Sequence, residues 1–419
     1  MASYLSPGVY VEEIASGSAP IVGVGTSIAA FIGRINANAW DSNEADSAST
    51  SSGTDTASAS SGTDSASASS GDGEVEGTTT NTIAQKGEIK LCTNFTEFKK
   101  FFGDFLPTSD ETLGHNTLAH AVYGFFRNGG TRCYVTWITD IETDTQQEVD
   151  EVLQQFEAID EITIVAAPGS LELRAYIKDH CEKMADRIAI LDSDETTDLN
   201  AGGVAGNLTP FNSDYAALYF PWIQVFDPSS GGNIYVPPSG HIAGIYARVD
   251  GQRGVYKAPG NETILGALDL KYNLSRAKQD LLNPDGINCI RKLNGNIRVW
   301  GARTLAGVDK QEFKYVNIRR HFNYLIDSID KGTQWVVFEP NTPELWAKIR
   351  RNISAFLVNE WRQGALFGTT PEEAFYVKCD AENNPSEVRD LGQVITDIGV
   401  AVVKPAEFVI FRISQWDGQ

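Results

Sequence analysis

Ile162-Thr-Ile-Val-Ala-Ala-Pro-Gly169 is the stretch on which the fold turns. Its run of apolar and β-branched residues, closed by Pro168-Gly169, reads as a strand and a stop. An acidic helical pattern, Gln146–Ile159, precedes it, and a second, Leu171–Ala185, follows. Outside these lie two more strands, Cys133-Tyr-Val-Thr-Trp-Ile138 and Arg187-Ile-Ala-Ile-Leu191. Strand and helix in alternation are the mark of an α/β domain with a partly parallel sheet.

Upstream, Thr93–Gly103 reads as a short helix, with Phe95, Phe98, Phe101 and Phe102 on one face and Gly103 as its stop. Leu113–Arg127 is a second helix, with Leu118, Val122, Phe125 and Phe126 facing inward. Ile21–Gly33 is an apolar run expected to be a buried strand. Its Gly23-x-Gly25 precedes the apolar residues instead of following a strand and lacks a third glycine at position 28, so it is no nucleotide-binding turn. From Asp41 to about Thr82 the composition narrows to Ser, Ala, Thr, Gly and Asp, and Ser51–Ala59 is nearly repeated as Ser60–Ala68. Such a segment cannot recover its ordering entropy by burial and is expected to be a mobile surface loop.

Downstream, Ala217–Phe226 is strand-like, His241–Val249 a short helix and Asp250–Gly260 a loop. Strands follow at Gly286–Arg291 and Gly295–Gly301, a helix at Val316–Ile329 and a strand at Gln334–Phe338. Thr342-Pro343-Glu344 opens a helix, with a cap, a proline in the first turn and an acid against the dipole. It runs to about Arg362 and buries Leu345, Trp346, Ile349, Ile353, Phe356 and Leu357. Its opposite stripe, Lys348, Arg351, Ala355, Asn359 and Arg362, is basic in an acidic protein. Both ends of the chain are strand-forming. Gly8–Ile14 has Val9, Tyr10 and Val11 at its centre, and in Glu407–Trp416 the alternating Phe408, Val409, Ile410, Phe411 and Ile413 leave both faces largely apolar. A two-faced apolar strand at a chain end needs a sheet to enter, and exchange between subunits would provide one.

Composition narrows the function. The net charge is −21, with 42% hydrophobic residues. Residues 287–419 are near neutral and the acid lies in front of them, a balance that disfavours nucleic acid. No apolar run approaches the ~20 residues of a membrane span. The N-terminal residues show no basic region followed by an apolar core, so no secretory signal is expected and the chain is read as cytoplasmic. The five cysteines, Cys92, Cys133, Cys181, Cys289 and Cys379, are scattered and form no C-x-x-C pair, which points to reduced, buried thiols and away from disulfides or zinc. His115, His120, His180, His241 and His321 show no metal-ligand spacing, so neither a metal nor a cofactor is expected. Ser239-Gly-His241 with Asp192 allows an α/β hydrolase as an alternative, but there is no nucleophile elbow and the reading is non-enzymatic. A monomeric adhesion or binding module is the other alternative.

Several blocks carry a family resemblance: Thr93–Gly103, Ala121–Arg132, Pro237-Pro-Ser-Gly-His-Ile-Ala-Gly244, Gly286-Ile-Asn288, Arg298-Val-Trp-Gly-Ala-Arg-Thr304, Phe338-Glu-Pro-Asn341 and Val403–Phe408. In this order they resemble the contractile tail sheath proteins of phage tails, R-type bacteriocins and extracellular contractile injection systems. The resemblance covers nearly the whole chain outside about 36–86. It implies a subunit of mixed α/β and α+β class that polymerises around an inner tube and contracts to drive the tube through a target envelope. The expected organisation is an N-terminal arm (1–20), an outer α/β domain (21–286), an inner α+β domain (287–403) and a C-terminal arm (404–419). Expected partners are further copies of the chain, the inner tube protein, baseplate and terminal cap proteins, and sheath paralogues. The chain would be made and assembled in the bacterial cytoplasm, within a particle that can be released. In this picture Val9, Tyr10, Val11, Phe408, Val409, Ile410, Phe411 and Ile413 join neighbouring subunits, and Lys348, Arg351 and Arg362 face an acidic tube.

Overall fold

A computed structural model describes residues 20–35, 84–107, 109, 112–139, 145–197 and 211–412. The expected strand at Val9–Val11, nearly all of the Ser/Ala/Gly/Asp insertion, and Ile413 onward lie outside these residues. Two compact units are present, Thr26–Arg319 and a smaller one made of the residues up to Gly25 together with those from Arg320 onward.

The larger unit contains, in chain order, Ala29–Ile35 (β1), Lys90–Cys92 (β2), Phe95–Phe102 (α1), Leu113–Arg127 (α2), Cys133–Thr139 (β3), Thr145–Glu157 (α3), Ile164–Ala166 (β4), Leu173–Met184 (α4), Ile188–Asp192 (β5) and Ala216–Phe220 (β6). Then come Ile223–Asp227 (β7), Gly232–Val236 (β8), Ser239–Arg253 (α5), Asp269–Leu270 (β9), Arg276–Leu282 (α6), Ile287–Leu293 (β10) and Asn296–Val299 (β11). Eight strands form one sheet in the order β11-β10-β6-β5-β4-β1-β3-β2. β10, β6, β5, β4, β1 and β3 run parallel, while β11 and β2 are antiparallel at the two edges.

Strand alternation divides the apolar side chains between two cores. Phe31 of β1 and Ile190 of β5 enter one core, with Leu118, Val122 and Phe125 of α2 and Ile242 and Tyr246 of α5. Ile32 and Leu191 point into the other, with Val152 and Phe156 of α3 and Leu173 and Ile177 of α4. Each such side chain stabilises the unit by ~1.5–3 kcal/mol relative to exposure, and coverage on both faces explains the lack of a polar stripe in β4 to β6. Helices α2 and α5 pack closely because α5 presents Gly240 and Gly244 to its partner. A Cβ on Gly240 would sit 2.3 Å from the Ala121 carbonyl oxygen, and one on Gly244 2.4 Å from that of Phe125.

In the smaller unit, Val316–Thr333 (α7) continues past the division between Arg319 and Arg320, followed by Pro343–Arg362 (α8), Phe375–Lys378 (β12) and Asp397–Val400 (β13). β12 and β13 pair antiparallel as a two-stranded sheet. Leu345, Trp346, Ile349, Ile353, Phe356 and Leu357 form the buried stripe of α8, as the periodicity predicts. Residues 20–25 lie along α7: Val24 N–H donates to Ser328 Oγ at 3.1 Å, and Ile21 sits over Gly332.

Several boundaries differ from the sequence reading. The division expected at 286/287 falls at 319/320, because β10 pairs in parallel with β6 and so belongs to the large sheet. The single strand expected over Ala217–Phe226 is two, β6 and β7, interrupted at Pro221-Trp222, since proline cannot donate to a ladder. Only Ala29 onward of the run Ile21–Gly33 is strand. The helix expected at His241–Val249 starts at Ser239 and continues to Arg253, shortening the following loop. Gln334–Phe338 is no strand: Gln334–Val336 is a turn of 3₁₀ helix, and Trp335 and Val336 are apolar because they pack on the core of the small unit. β12 and β13 were not foreseen, being four residues each with little alternation.

Candidate functional site

The residues of the alternative hydrolase reading, Asp192, Ser239 and His241, lie in the larger unit. Asp192 ends β5 and is buried; its Oδ2 accepts from Ser239 Oγ at 2.6 Å and from Gly169 N–H at 3.1 Å, and its Oδ1 accepts from Ser239 N–H at 2.9 Å. Burial pushes its carboxyl up to about 6, against these hydrogen bonds and the charge of Arg174. The carboxylate thus ties the loop after β4 to the first residue of α5. The Ser239 hydroxyl is spent on this tie, whereas a nucleophile would be bonded to its base. His241 turns to the opposite task. Its ring lies against Gly124 of α2, and burial, then the charges of His120 and Arg127, lower its pKa to about 3. Serine and histidine adjacent on one helical turn serve two different contacts, and no triad is assembled.

The other histidines are also built into packing. His115 Nε2 lies 2.9 Å from the Asp104 carbonyl oxygen, and His180 lies 3.3 Å from the buried guanidinium of Arg187. All five cysteines are buried and free. Cys92 and Cys133 face each other across the β2–β3 ladder, and burial raises both thiols, that of Cys92 to about 12. Among the described residues no cluster of His, Cys, Asp and Glu is arranged to hold a metal ion, and no helix is long and apolar enough to cross a membrane.

The surface features lie in the smaller unit. Phe408, Val409, Ile410 and Phe411 are 68–82% exposed and belong to no strand among the described residues. Four consecutive large apolar side chains in water are an unpaired strand in composition. Nearby in sequence, the β12–β13 sheet has only two strands, and among the described residues no third strand flanks it. On α8, Lys348, Arg351 and Arg362 are all exposed, as the sequence places them. Lys348 sits near Glu344, while Arg351 and Arg362 hold no ion pair among the described residues. The Thr342 side chain makes no cap bond to the helix. Beneath the helix the sequence reading missed Glu360, a buried carboxylate accepting from Tyr324 O–H at 2.9 Å. Its position on the apolar stripe, four residues after Phe356, was the available signal.

A doubly covered α/β sheet joined to a small unit with an open two-stranded sheet and an unpaired apolar tail defines a subunit built for assembly. The chain belongs to the contractile tail sheath family: residues 145–305 match the phage tail sheath protein central domain and residues 308–415 the phage tail sheath C-terminal domain. It is 28% identical over 262 residues to a prophage major tail sheath protein of Pseudomonas aeruginosa, covering 61% of this chain and 65% of that one. It is 24% identical over 213 residues to the tail sheath protein of Enterobacteria phage T4, of which the match spans 31%. The chain thus matches about two thirds or less of these curated relatives. Among solved structures, it is similar to the sheath complex of PVC, an extracellular contractile injection system, in its contracted state (TM-score 0.73, 26% identity, 100% of this chain and 99% of that one). The contracted helical sheath of the anti-feeding prophage is similar at a TM-score of 0.70 and 26% identity, over 99% of this chain and 100% of that one.

Proposed function

We propose that this protein is a non-enzymatic structural subunit that polymerises around an inner tube and contracts to drive the tube through a target cell envelope. The observation that carries the reading is the exposed apolar segment Phe408–Phe411, which belongs to no strand among the described residues, in a unit whose β12–β13 sheet has two strands among those residues. Strand addition from a neighbouring copy would supply main-chain hydrogen bonds and cover the apolar side chains together. Val9, Tyr10 and Val11 at one end, and Phe408–Phe411 with Ile413 at the other, are the linking strands in this proposal. Linkers of this kind keep subunits attached while the outer domains change their contacts, whose gain on contraction releases the stored energy. Assembly takes place in the bacterial cytoplasm, with the baseplate and a terminal cap closing the ends. The anti-feeding prophage baseplate, to which the chain is also similar at 26% identity, supports the baseplate part.

The exposed stripe Lys348, Arg351 and Arg362 is assigned to the inner wall, holding a complementary acidic tube by weak charge contacts that salt screens and contraction releases. Negative-stain microscopy tests the central reading. The full chain should form striated tubes, and a chain lacking residues 1–14 should remain a folded monomer. Normal tubes from the truncated chain would remove the arm from the mechanism.

A further inference from the structure

The turn between α7 and α8 carries a residue its backbone disfavours. Val336 C=O accepts from Glu339 N–H at 3.1 Å. Between them Val337 has φ −65° and ψ 128°, and Phe338 has φ +70°. These values describe a type II turn, whose third residue is a glycine position because a Cβ is strained there. Phe338 is nevertheless among the bulkiest of side chains, and it is wholly exposed, with Val337 64% exposed beside it. Among the described residues nothing compensates for the strain, since the ring is wholly exposed. The turn itself is firmly held. Trp335 and Val336 pack on the core before it, and behind it Asn341 accepts from Trp346 Nε1–H and donates to the Gln393 carbonyl oxygen, each at 2.8 Å.

We infer that Phe338, with Val337, is an aromatic knob that seats in an apolar surface of a second copy of this chain. A rigidly presented aromatic anchor loses little entropy on docking, and strain at an exposed site is retained where the side chain acts elsewhere. The residues 334–341 contain one charged side chain, Glu339, so the tip suits an apolar surface better than a charged one. The same small unit exposes apolar side chains of the complementary kind, Phe367, Tyr376 and Leu391, at 73%, 61% and 73%. A knob on one copy meeting different apolar side chains on the next makes a head-to-tail contact, the type that propagates into a helical polymer. The inference rests on the sheath reading, which supplies copies as neighbours.

The test compares the full chain with Phe338→Gly and Phe338→Ala, measuring thermal unfolding of the monomer and the protein concentration at which tubes form. Phe338→Gly relieves the turn, so its melting temperature should equal or exceed the parent's while the concentration needed for tubes rises at least tenfold. Phe338→Ala should show the same loss of assembly. Tubes formed by both variants at the parent's concentration would overturn the inference and leave the sheath reading intact. So would tubes of normal yield that no longer retain an inner tube, which would make the tube protein the partner. A parent chain that forms no tubes under any condition would remove both readings together.

Discussion

Ile188–Asp192 and Phe408–Arg412 are two short segments of similar apolar density with opposite fates. The first is β5, flanked by β4 and β6 and buried on both faces. The second has no ladder and holds its large side chains in water. The difference is not propensity, which both have, but whether the described residues supply neighbouring strands. A strand is a local property, whereas a sheet can belong to several molecules.

Substitutions can break or sharpen this contrast. The largest effect is expected from Ile190→Asp, which places a charge in a core position 1% exposed. A loss of at least ~4 kcal/mol should leave the larger unit unfolded by circular dichroism. Next comes Asp192→Asn, which tests the tie from β5 to α5. The folded carboxyl is raised from 3.8 to about 6, so the stability it contributes is complete below pH 3.8 and is lost as pH rises through 6. Between pH 4 and pH 7 the variant should therefore gain on the parent, by up to about 3 kcal/mol, in urea titrations at each pH. A parallel pair of curves would mean that Asp192 stays uncharged or equally solvated throughout.

Ile410→Asp is the counterpart of the first substitution, at a position 79% exposed. Monomer stability should change by less than about 0.5 kcal/mol, and tube formation should fail. Unfolding of this variant would show that the tail has a partner inside the chain after all. The smallest effect on stability belongs to the joint reversal of Lys348, Arg351 and Arg362 to Glu, with tubes still forming and co-purified inner tube lost. Retained inner tube would return the stripe to an ordinary solvated face.

Helix α8 shows why some of this was legible. Both ends of α8 are written in the sequence, Pro343 and Glu344 at its start and a periodic stripe to Leu357, and its bounds and buried face follow directly. The basic face follows with it, because an exposed stripe is the complement of a buried one. Strands β10 and β11 were equally legible as strands, yet their sheet was not, since pairing with β6 connects residues about 70 apart in sequence. Gln334–Phe338 misled for another reason. Trp335 and Val336 are apolar to pack on the core and Phe338 is apolar on an exposed turn, and a run of hydrophobic letters does not distinguish these from a ladder. For Ser239 and His241, nearness in sequence already implied different directions, but not that one bonds to a strand end while the other lies against a neighbouring helix.

The buried facing pair Cys92 and Cys133 has a consequence for the redox life of the protein. The two residues are register partners on adjacent antiparallel strands. What restrains them is reactivity: burial pushes the Cys92 thiol up to about 12, so little of the reactive thiolate is present at neutral pH. Both sulfurs are also shut away from dissolved oxidants. Oxidation of either cysteine would therefore require the larger unit to open, and the first oxidised cysteine would report that it had opened.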